Sequence, residues 1–337
     1  TGRAPHRARL SASGRYLYVM CRDGTLTQID LFAAPPQRVA EVRVGLEARA
    51  VGVSRFAGYA DRYVLAGSYW PPHLLLLDGQ TLEPIRLVST RSRTRIDKRF
   101  HPEPRVTDVH GSYAHPEFIA HIKETGHTYL VPYSESDTLV ITDLDTTPEL
   151  RAGSFALDQR HYLTPTDRNA IVVVDAVERR VAATVPSRIF AGGTGVSFED
   201  PQFGPVWMTG SLTSRELAVI GTDPTDHPEA AWRQVRTLRG AGVGTLFVAA
   251  LPRSPYVWVD NPLSPKAEVS QSLAVFAKAQ LDQGYRSLPV AEFSGIEAGP
   301  RRALQPAFDL SGEEVWALVW NPQDLPAAVV VVDAQSL

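Results

Sequence analysis

Ser13-Gly14-Arg15-Tyr16-Leu17-Tyr18-Val19, answered a few residues later by Leu26-Thr27-Gln28-Ile29-Asp30, packs a polar turn, an apolar strand, a second turn and a strand ending on an acid into one stretch. The order recurs along the chain. It returns at residues 61–66 with 74–78, 127–131 with 139–143, 160–164 with 171–175, 204–208 with 217–221, 255–259 with 273–276, and 314–318 with 329–333. Seven copies, roughly 35 to 65 residues apart, match the spacing of propeller blades carrying loop insertions. The two strands of each copy read as the inner pair of a blade, apolar on both faces because blades stack on one another.

Outside these pairs helical periodicity is scarce, and 26 Pro with 24 Gly cut the chain into short pieces. That pattern belongs to an all-β fold. No linker interrupts the series, so residues 1–337 read as a single β-propeller whose central channel would hold a ligand. The chain opens almost on a strand and stops at Leu337 just after one, so further closing strands are expected beyond both ends.

Composition narrows the functions. Of the 337 residues 44% are hydrophobic and 21% charged, with a formal net charge of −3. Phosphate neutralisation needs clustered excess cation, so nucleic acid is not the expected partner. No apolar run reaches the ~18 residues that cross a bilayer. The single cysteine, Cys21, excludes an internal disulfide, a covalent Cys-x-x-Cys-His haem and a multi-cysteine zinc site. Among the 34 basic residues only Lys98, Lys123, Lys266 and Lys278 are lysine and the rest are Arg. An Arg-lined pocket for a polyanionic ligand produces that skew, and so does codon bias in a GC-rich genome.

Phosphate loops, His-Glu-x-x-His pairs and Gly-x-Ser-x-Gly elbows are missing from the sequence. His110, His115, His121 and His127 form a run whose spacing fits no standard ligand pattern, and solvated or internally satisfied imidazoles account for it. Near the N-terminus, His6 is followed by Arg9, Arg22 and Arg49, each close to a strand boundary. In a propeller such positions converge on one mouth of the channel. A neutral imidazole among guanidinium groups has the chemistry to ligate the metal of an anionic macrocycle while the Arg hold its carboxylates. A surface His among solvated Arg is the plain alternative.

His6 to Asp30 (His-Arg-Ala-Arg-Leu-Ser-Ala-Ser-Gly-Arg-Tyr-Leu-Tyr-Val-Met-Cys-Arg-Asp-Gly-Thr-Leu-Thr-Gln-Ile-Asp) closely resembles the d1-haem domain of cytochrome cd1 nitrite reductases. So do Gly67-Ser68-Tyr69-Trp70-Pro71-Pro72, His101-Pro102-Glu103-Pro104-Arg105, His115-Pro116-Glu117-Phe118-Ile119, Lys123-Glu124-Thr125-Gly126, Phe203-Gly204-Pro205-Val206-Trp207 and Gly221-Thr222-Asp223-Pro224. The likeness runs over nearly the whole chain. It implies an eight-bladed propeller in the periplasm, carrying non-covalent d1 haem and reducing nitrite to nitric oxide. It places His6 at the family's proximal iron ligand, Arg9, Arg22 and Arg49 in the haem pocket, Tyr69 beside the haem, and Gln305 at a pocket glutamine.

The likeness fails at the two distal histidines that hand protons to bound nitrite. Counting along the matched segments, the first falls on Gln159 and the second on Asp200. Gln donates no proton as an acid, and an Asp near its ordinary pKa of about 3.9 is ionised at neutral pH. Two substitutes are expected to stand in. His161, two residues beyond Gln159, would face the same side of a strand ~7 Å further along. Asp200, desolvated in an apolar pocket, would have a raised pKa.

The expected function is therefore a His6-ligated d1-haem propeller reducing nitrite, with Gln159, Asp200 and His161 on the distal side. The resemblance implies nitrite or another small anion as substrate, a c-type cytochrome as electron donor, and a homodimer. A d1-haem carrier or biosynthesis protein without reductase activity is the alternative, since it needs the proximal His and not the proton donors. A cofactor-free interaction scaffold is the third reading.

Overall fold

A computed structural model describes residues 1–134, 139–297, 299–321, 323 and 326–335. Nearly all its regular structure is strand. Pro5–Leu10, Tyr16–Cys21, Thr25–Asp30 and Gln37–Arg43 (β1 to β4) form the first sheet, and Glu47–Val53, Tyr63–Trp70, His73–Asp78 and Pro84–Ser89 (β5 to β8) the second. A ribbon of Ser92–Arg93 and Phe100–His101 (β9, β10) precedes the third, made of Val106–Gly111, Glu117–Ile122, His127–Pro132 and Thr142–Asp145 (β11 to β14). The fourth comprises Ser154–Phe155, His161–Pro165, Ala170–Asp175 and Arg180–Pro186 (β15 to β18), and the fifth Val196–Asp200, Gly204–Gly210, Glu216–Gly221 and Gln234–Arg239 (β19 to β22). Val248–Ala250, Tyr256–Asp260, Leu273–Ala277 and Arg286–Leu288 (β23 to β26) make the sixth, and Arg302–Phe308, Glu314–Trp320 and Ala328–Asp333 (β27 to β29) the seventh.

Within every one of these sheets, strands neighbour one another in chain order. Seven such meanders in series are the blades of a β-propeller. The seven repeats counted in the sequence map one to one onto them. The eight blades implied by the resemblance are thus corrected to seven among the described residues.

The acid that closes several of the repeats has a structural reason. Asp30 Oδ1 accepts the N–H of Phe32, Asp78 Oδ1 those of Gln80 and Thr81, and Asp175 Oδ1 those of Val177 and Glu178, so each carboxylate stops its strand by building the next turn. One repeat is displaced. In the third sheet the inner pair is β12 and β13, not residues 127–131 with 139–143. Glu117 and His121 gave β12 a polar look, yet both are buried: Glu117 pairs with Arg179 at 3.2 Å and His121 Nδ1 meets Thr128 Oγ1 at 2.9 Å.

The chain divides into two compact units, Thr1–Ala152 with Val174–Ala182, and Gly153–Val173 with Ala183–Leu337. In the first, the leucines of β7 alternate between two cores. Leu75 and Leu77 join Tyr18, Met20 and Val51, while Leu74 and Leu76 join Val106, Phe118 and Tyr133. In the second, Trp258, Leu273 and Val275 pack with Val315 and Ala317, whereas Val257, Val259 and Phe276 pack with Phe198 and Val206. The period of two thus serves both faces of a stacked sheet, and each fully buried Leu, Val or Phe contributes about 1.5–3 kcal/mol. Among the described residues, no helix is long and apolar enough to cross a membrane.

Candidate functional site

In the first unit the sequence-predicted residues stand where pairing breaks. Strand β1 pairs Pro5 with Cys21 and then Arg7 with Met20, which leaves His6 as the extra residue of a bulge. Strands β5 and β6 pair Glu47 with Trp70, Ala48 with Ser68 and Ala50 with Gly67, leaving Arg49 and Tyr69 outside the pairs. A bulge re-aims a side chain that a regular strand would commit to one face, and bulges gather at sites for that reason.

These breaks bring four expected residues together. His6 Nδ1 donates to the Arg49 carbonyl oxygen at 3.3 Å, which leaves Nε2 with its lone pair. The Arg49 guanidinium lies 4.8 Å from the Tyr69 ring centroid and is steered by Glu47, whose Oε1 accepts from Arg49 at 3.0 and 2.6 Å. Arg22 sits directly after β2, its N–H held by the Ala4 carbonyl at 3.0 Å. The His6 side chain is exposed, but neighbouring protein removes enough water to lower its pKa. The Arg49 hydrogen bond opposes that shift, and the charges of Arg7, Arg22 and Arg49 add to it, so the imidazole is neutral at pH 7.

Arg9 points elsewhere in the same unit, donating to His110 Nε2 at 3.0 Å. The bond fixes His110 as a neutral acceptor, and burial with the nearby Arg9 and Arg7 charges pushes its pKa down to about 3. Behind it the buried Asp108 pairs with Arg7. Burial alone would raise that carboxyl, but Arg7 and Arg9 hold it well below the usual range. Arg9, Arg55, His110 and Tyr113 line a cavity of about 230 Å³.

Sequence reasoning missed His110, dismissed within its His run, and Arg105, which stacks 5.5 Å from the Tyr69 centroid while Glu124 Oε1 accepts from its Nε at 2.5 Å. Arg105 lay inside a segment already matched to the family, and that was the available signal.

The second unit holds the distal candidates, and two expectations fail there. Gln159 occupies a turn before β16 with φ of 55° and is exposed, whereas His161 is buried, so the two do not share a strand face. The His161 imidazole is held between Asp158 Oδ2, at 2.5 Å from Nδ1, and the Trp232 ring, at a centroid distance of 4.7 Å.

Asp200 is buried, and burial raises its pKa as expected. The shift is reversed by Arg236, whose Nε and Nη2 donate at 2.8 and 3.1 Å, and by the N–H groups of Gln202 and Phe203 at 2.9 and 3.2 Å. The carboxyl therefore lies below the ordinary range, and the raised acid expected from sequence is overturned.

Gln305 is exposed on a bulge of β27, where Leu304 pairs with Leu318 and Ala307 with Trp316, and its φ is 54°. Its N–H donates at 2.9 Å to the buried carboxylate of Asp260.

A neutral imidazole among guanidinium groups on a propeller has the chemistry to ligate a haem iron and to hold its carboxylates. The family comparison makes this specific: the model of the cytochrome D1 heme domain matches residues 1–337, and the chain belongs to that family, whose cofactor is d1 haem. The chain is 38% identical to a nitrite reductase of Stutzerimonas stutzeri over all of its own length and 62% of that protein's. It is 27% identical to a dihydro-heme d1 dehydrogenase of Pseudomonas aeruginosa over 98% of its length and 60% of the relative's. Thus it spans about three fifths of either relative. Among solved structures, the dihydro-heme d1 dehydrogenase NirN in complex with DHE superposes with a TM-score of 0.78 at 23% identity, over 99% of this chain and 65% of that one. The Cps50 (Swd1) β-propeller domain of Myceliophteria thermophila gives 0.60 at 14% identity, over 98% and 97%. Both likenesses bear on the fold alone, and both support the propeller.

Proposed function

We propose that this chain binds d1 haem without a covalent bond and carries or completes it, rather than reducing nitrite. The donor set suits the group. Metal-ligating histidines donate their second ring N–H to a carbonyl or carboxylate, and His6 does so to Arg49, so His6 Nε2 is the nitrogen that would hold the haem iron. Arg22 and Arg49 would hold the haem's carboxylates, with Tyr69 beside it. When bound, the haem supplies an iron centre and a conjugated ring able to exchange electrons.

The observation that carries the choice of reaction is the Arg236 grip on Asp200. Turning nitrite into nitric oxide and water consumes two protons and one electron per anion. At the two positions where the resemblance puts proton donors, this chain has an exposed amide and a carboxylate kept ionised by a guanidinium. His161 is committed to Asp158 and Trp232. Binding the haem, or removing hydrogen from a dihydro form of it as the name of the P. aeruginosa relative describes for that protein, needs neither distal donor. This reading includes a single d1-haem domain over residues 1–337, a periplasmic setting within denitrification, a c-type cytochrome as electron partner, and a homodimer.

Nitrite reduction stands as the second reading, favoured by the 38% identity to a nitrite reductase over the whole chain. The two part in one experiment. The protein is titrated with d1 haem and with its dihydro form by absorption, then given nitrite and a reductant at an NO electrode. Haem uptake with no NO above the free-haem rate supports the proposal. Reductase-like turnover supports the second reading, and failure to take up either haem overturns both.

A further inference from the structure

We infer that the ribbon of β9 and β10, in the first unit, is a docking surface for a partner protein that presents an acidic patch. Residues 91–105 carry six Arg and Lys side chains against two acids, Asp97 and Glu103, in a chain whose formal net charge is −3. The rest of the chain is therefore acidic, and cation is concentrated on one hairpin. Part of that charge is used internally: Arg95 meets Asp143 at 2.6 Å and Asp145 at 2.9 Å, and Arg105 meets Glu124 at 2.5 Å. Arg91, Arg93 and Lys98 are exposed and pair with no carboxylate among the described residues. Arg91 Nε donates to the Pro102 carbonyl oxygen at 3.0 Å and Arg93 Nη1 to that of Lys98 at 2.9 Å, neutral acceptors that leave both charges uncompensated.

Like charges on a loose loop would spread apart, but this hairpin is pinned. The Thr94 N–H closes it on the Arg99 carbonyl at 2.8 Å, and the Arg95 N–H ties it to the Thr125 carbonyl at 2.9 Å. Arg95 Nη2 reaches the Leu144 carbonyl at 2.7 Å, and His127 Nε2 donates to that of Arg93 at 2.9 Å. A partner thus meets a surface already ordered, which limits the entropy lost on docking. Two large apolar side chains stand on the same hairpin, Ile96 with 61% of its surface exposed and Phe100 with 59%. Apolar anchors inside a charged rim are the anatomy of a protein interface.

Asp97 decides between a protein and a uniformly anionic surface. It sits among the cations, half-exposed, and is held ionised by the Thr94 hydroxyl and the Arg99 N–H. A lipid headgroup layer or a nucleic-acid backbone would be repelled by it, whereas a folded partner can answer it with a cation, and interleaved signs of that kind fix register. The chain leaving β10 runs to Arg105, whose guanidinium is 5.5 Å from the Tyr69 ring centroid. A partner on the ribbon is therefore next to the cluster of Tyr69, Arg49 and His6, where a protein exchanging electrons or haem would have to work.

The test uses the whole chain and two labelled polymers, poly-L-glutamate, which offers carboxylates alone, and a glutamate–tyrosine copolymer, which adds apolar rings. Binding is read by fluorescence anisotropy at about 0.01 M salt, where screening reaches only beyond about 30 Å. The copolymer is expected to bind about 10-fold more tightly than poly-L-glutamate, the value of burying one or two exposed apolar side chains in part. I96S/F100S should remove that advantage and leave the poly-L-glutamate affinity unchanged. K98E/R99E should weaken both polymers about 10-fold. Neither of its side chains bonds the hairpin backbone, Arg99 reaching Asp97 alone at 3.6 Å, so the ribbon stays formed. Should K98E/R99E fail to fold, K98Q decides, with an expected loss of about 3-fold.

Unchanged affinity in the charge variants overturns the docking surface. Equal binding of the two polymers by the wild type overturns the apolar anchors, and with them a protein as the occupant. Preference for vesicles of phosphatidylcholine and phosphatidylglycerol, or for duplex DNA, over the copolymer assigns the ribbon to another class of partner and overturns the inference.

Discussion

Replacing Arg236 with Met tests the argument that Asp200 is held ionised. The Asp200 side chain has no exposure and that of Arg236 only 12%, so the two charge-assisted bonds at 2.8 and 3.1 Å are formed out of water. Removing one partner of a buried pair costs about 3–5 kcal/mol because the other charge is stranded. Two backbone donors, from Gln202 and Phe203, remain on Asp200, which puts the expected loss near the lower end, about 3 kcal/mol at pH 7.

The pH dependence is the sharper readout. In the native chain the Asp200 pKa is depressed, so its contribution is present above the ordinary carboxylate value and is lost as pH falls through the folded value. In R236M burial is opposed by the Gln202 and Phe203 N–H groups and no longer by a guanidinium, so the pKa rises relative to the native chain. The penalty is then present at neutral pH and shrinks as pH falls toward 4, where the folded variant is largely protonated and the unfolded chain about half so. Urea unfolding should show the difference shrinking from about 3 kcal/mol at pH 7 to about 1 kcal/mol near pH 4, the remainder being lost packing and the cation–π contact with Phe203. A difference of equal size at both pH values would refute an ionised Asp200, and one below about 1 kcal/mol at pH 7 would refute the buried pair.

H6A is expected to abolish axial coordination, seen as a changed haem absorption spectrum, and H6G to recover the native spectrum when free imidazole is added. R49A should weaken haem binding at least about 10-fold and flatten its dependence on salt, as loss of a carboxylate-holding cation requires. G67A places a Cβ 2.4 Å from Val106 Cγ1 and 3.0 Å from Ala50 Cβ, and the overpacking should cost about 1–3 kcal/mol in chemical denaturation. Asp260 has a raised pKa, so its contribution is complete below the ordinary carboxylate range and is lost as pH rises toward 7. D260N should cancel that decline in stability between about pH 4 and 7.

The blades were legible because strands such as β7, with four consecutive leucines before Asp78, must bury both faces. Strand β12 was not, since its Glu117 and His121 meet Arg179, in the turn before β18, and Thr128 of β13, and a sequence window cannot see partners that distant or across a ladder. The convergence of His6 and Arg49 was expected from their positions, but not the means, because it depends on skipped pairings in two sheets. Arg236 was invisible for the same reason. Asp200 read alone in sequence is a desolvated acid, and the guanidinium that reverses its pKa comes from β22, 36 residues away.

The breaks in the ladders also explain why this chemistry sits where it does. A propeller strand stacked on both sides has no face left for a ligand, so on such a strand a break in the pairing is what frees a side chain to meet one. His6, Arg49, Tyr69 and Gln305 are such residues, and each needs a local hold to keep the irregularity from annealing into a regular ladder. In the first unit the holds run from His6 to the Arg49 carbonyl and from Arg49 to Glu47. In the second, Gln305 is held by Asp260 in the same way. Asp200 differs because it ends β19 in unbroken register, paired with Gly204, and its carboxylate is consumed by Arg236 and the following turn. A residue in regular pairing with every acceptor occupied has a structural role, and this separates Asp200 from the residues that stand where the pairing breaks.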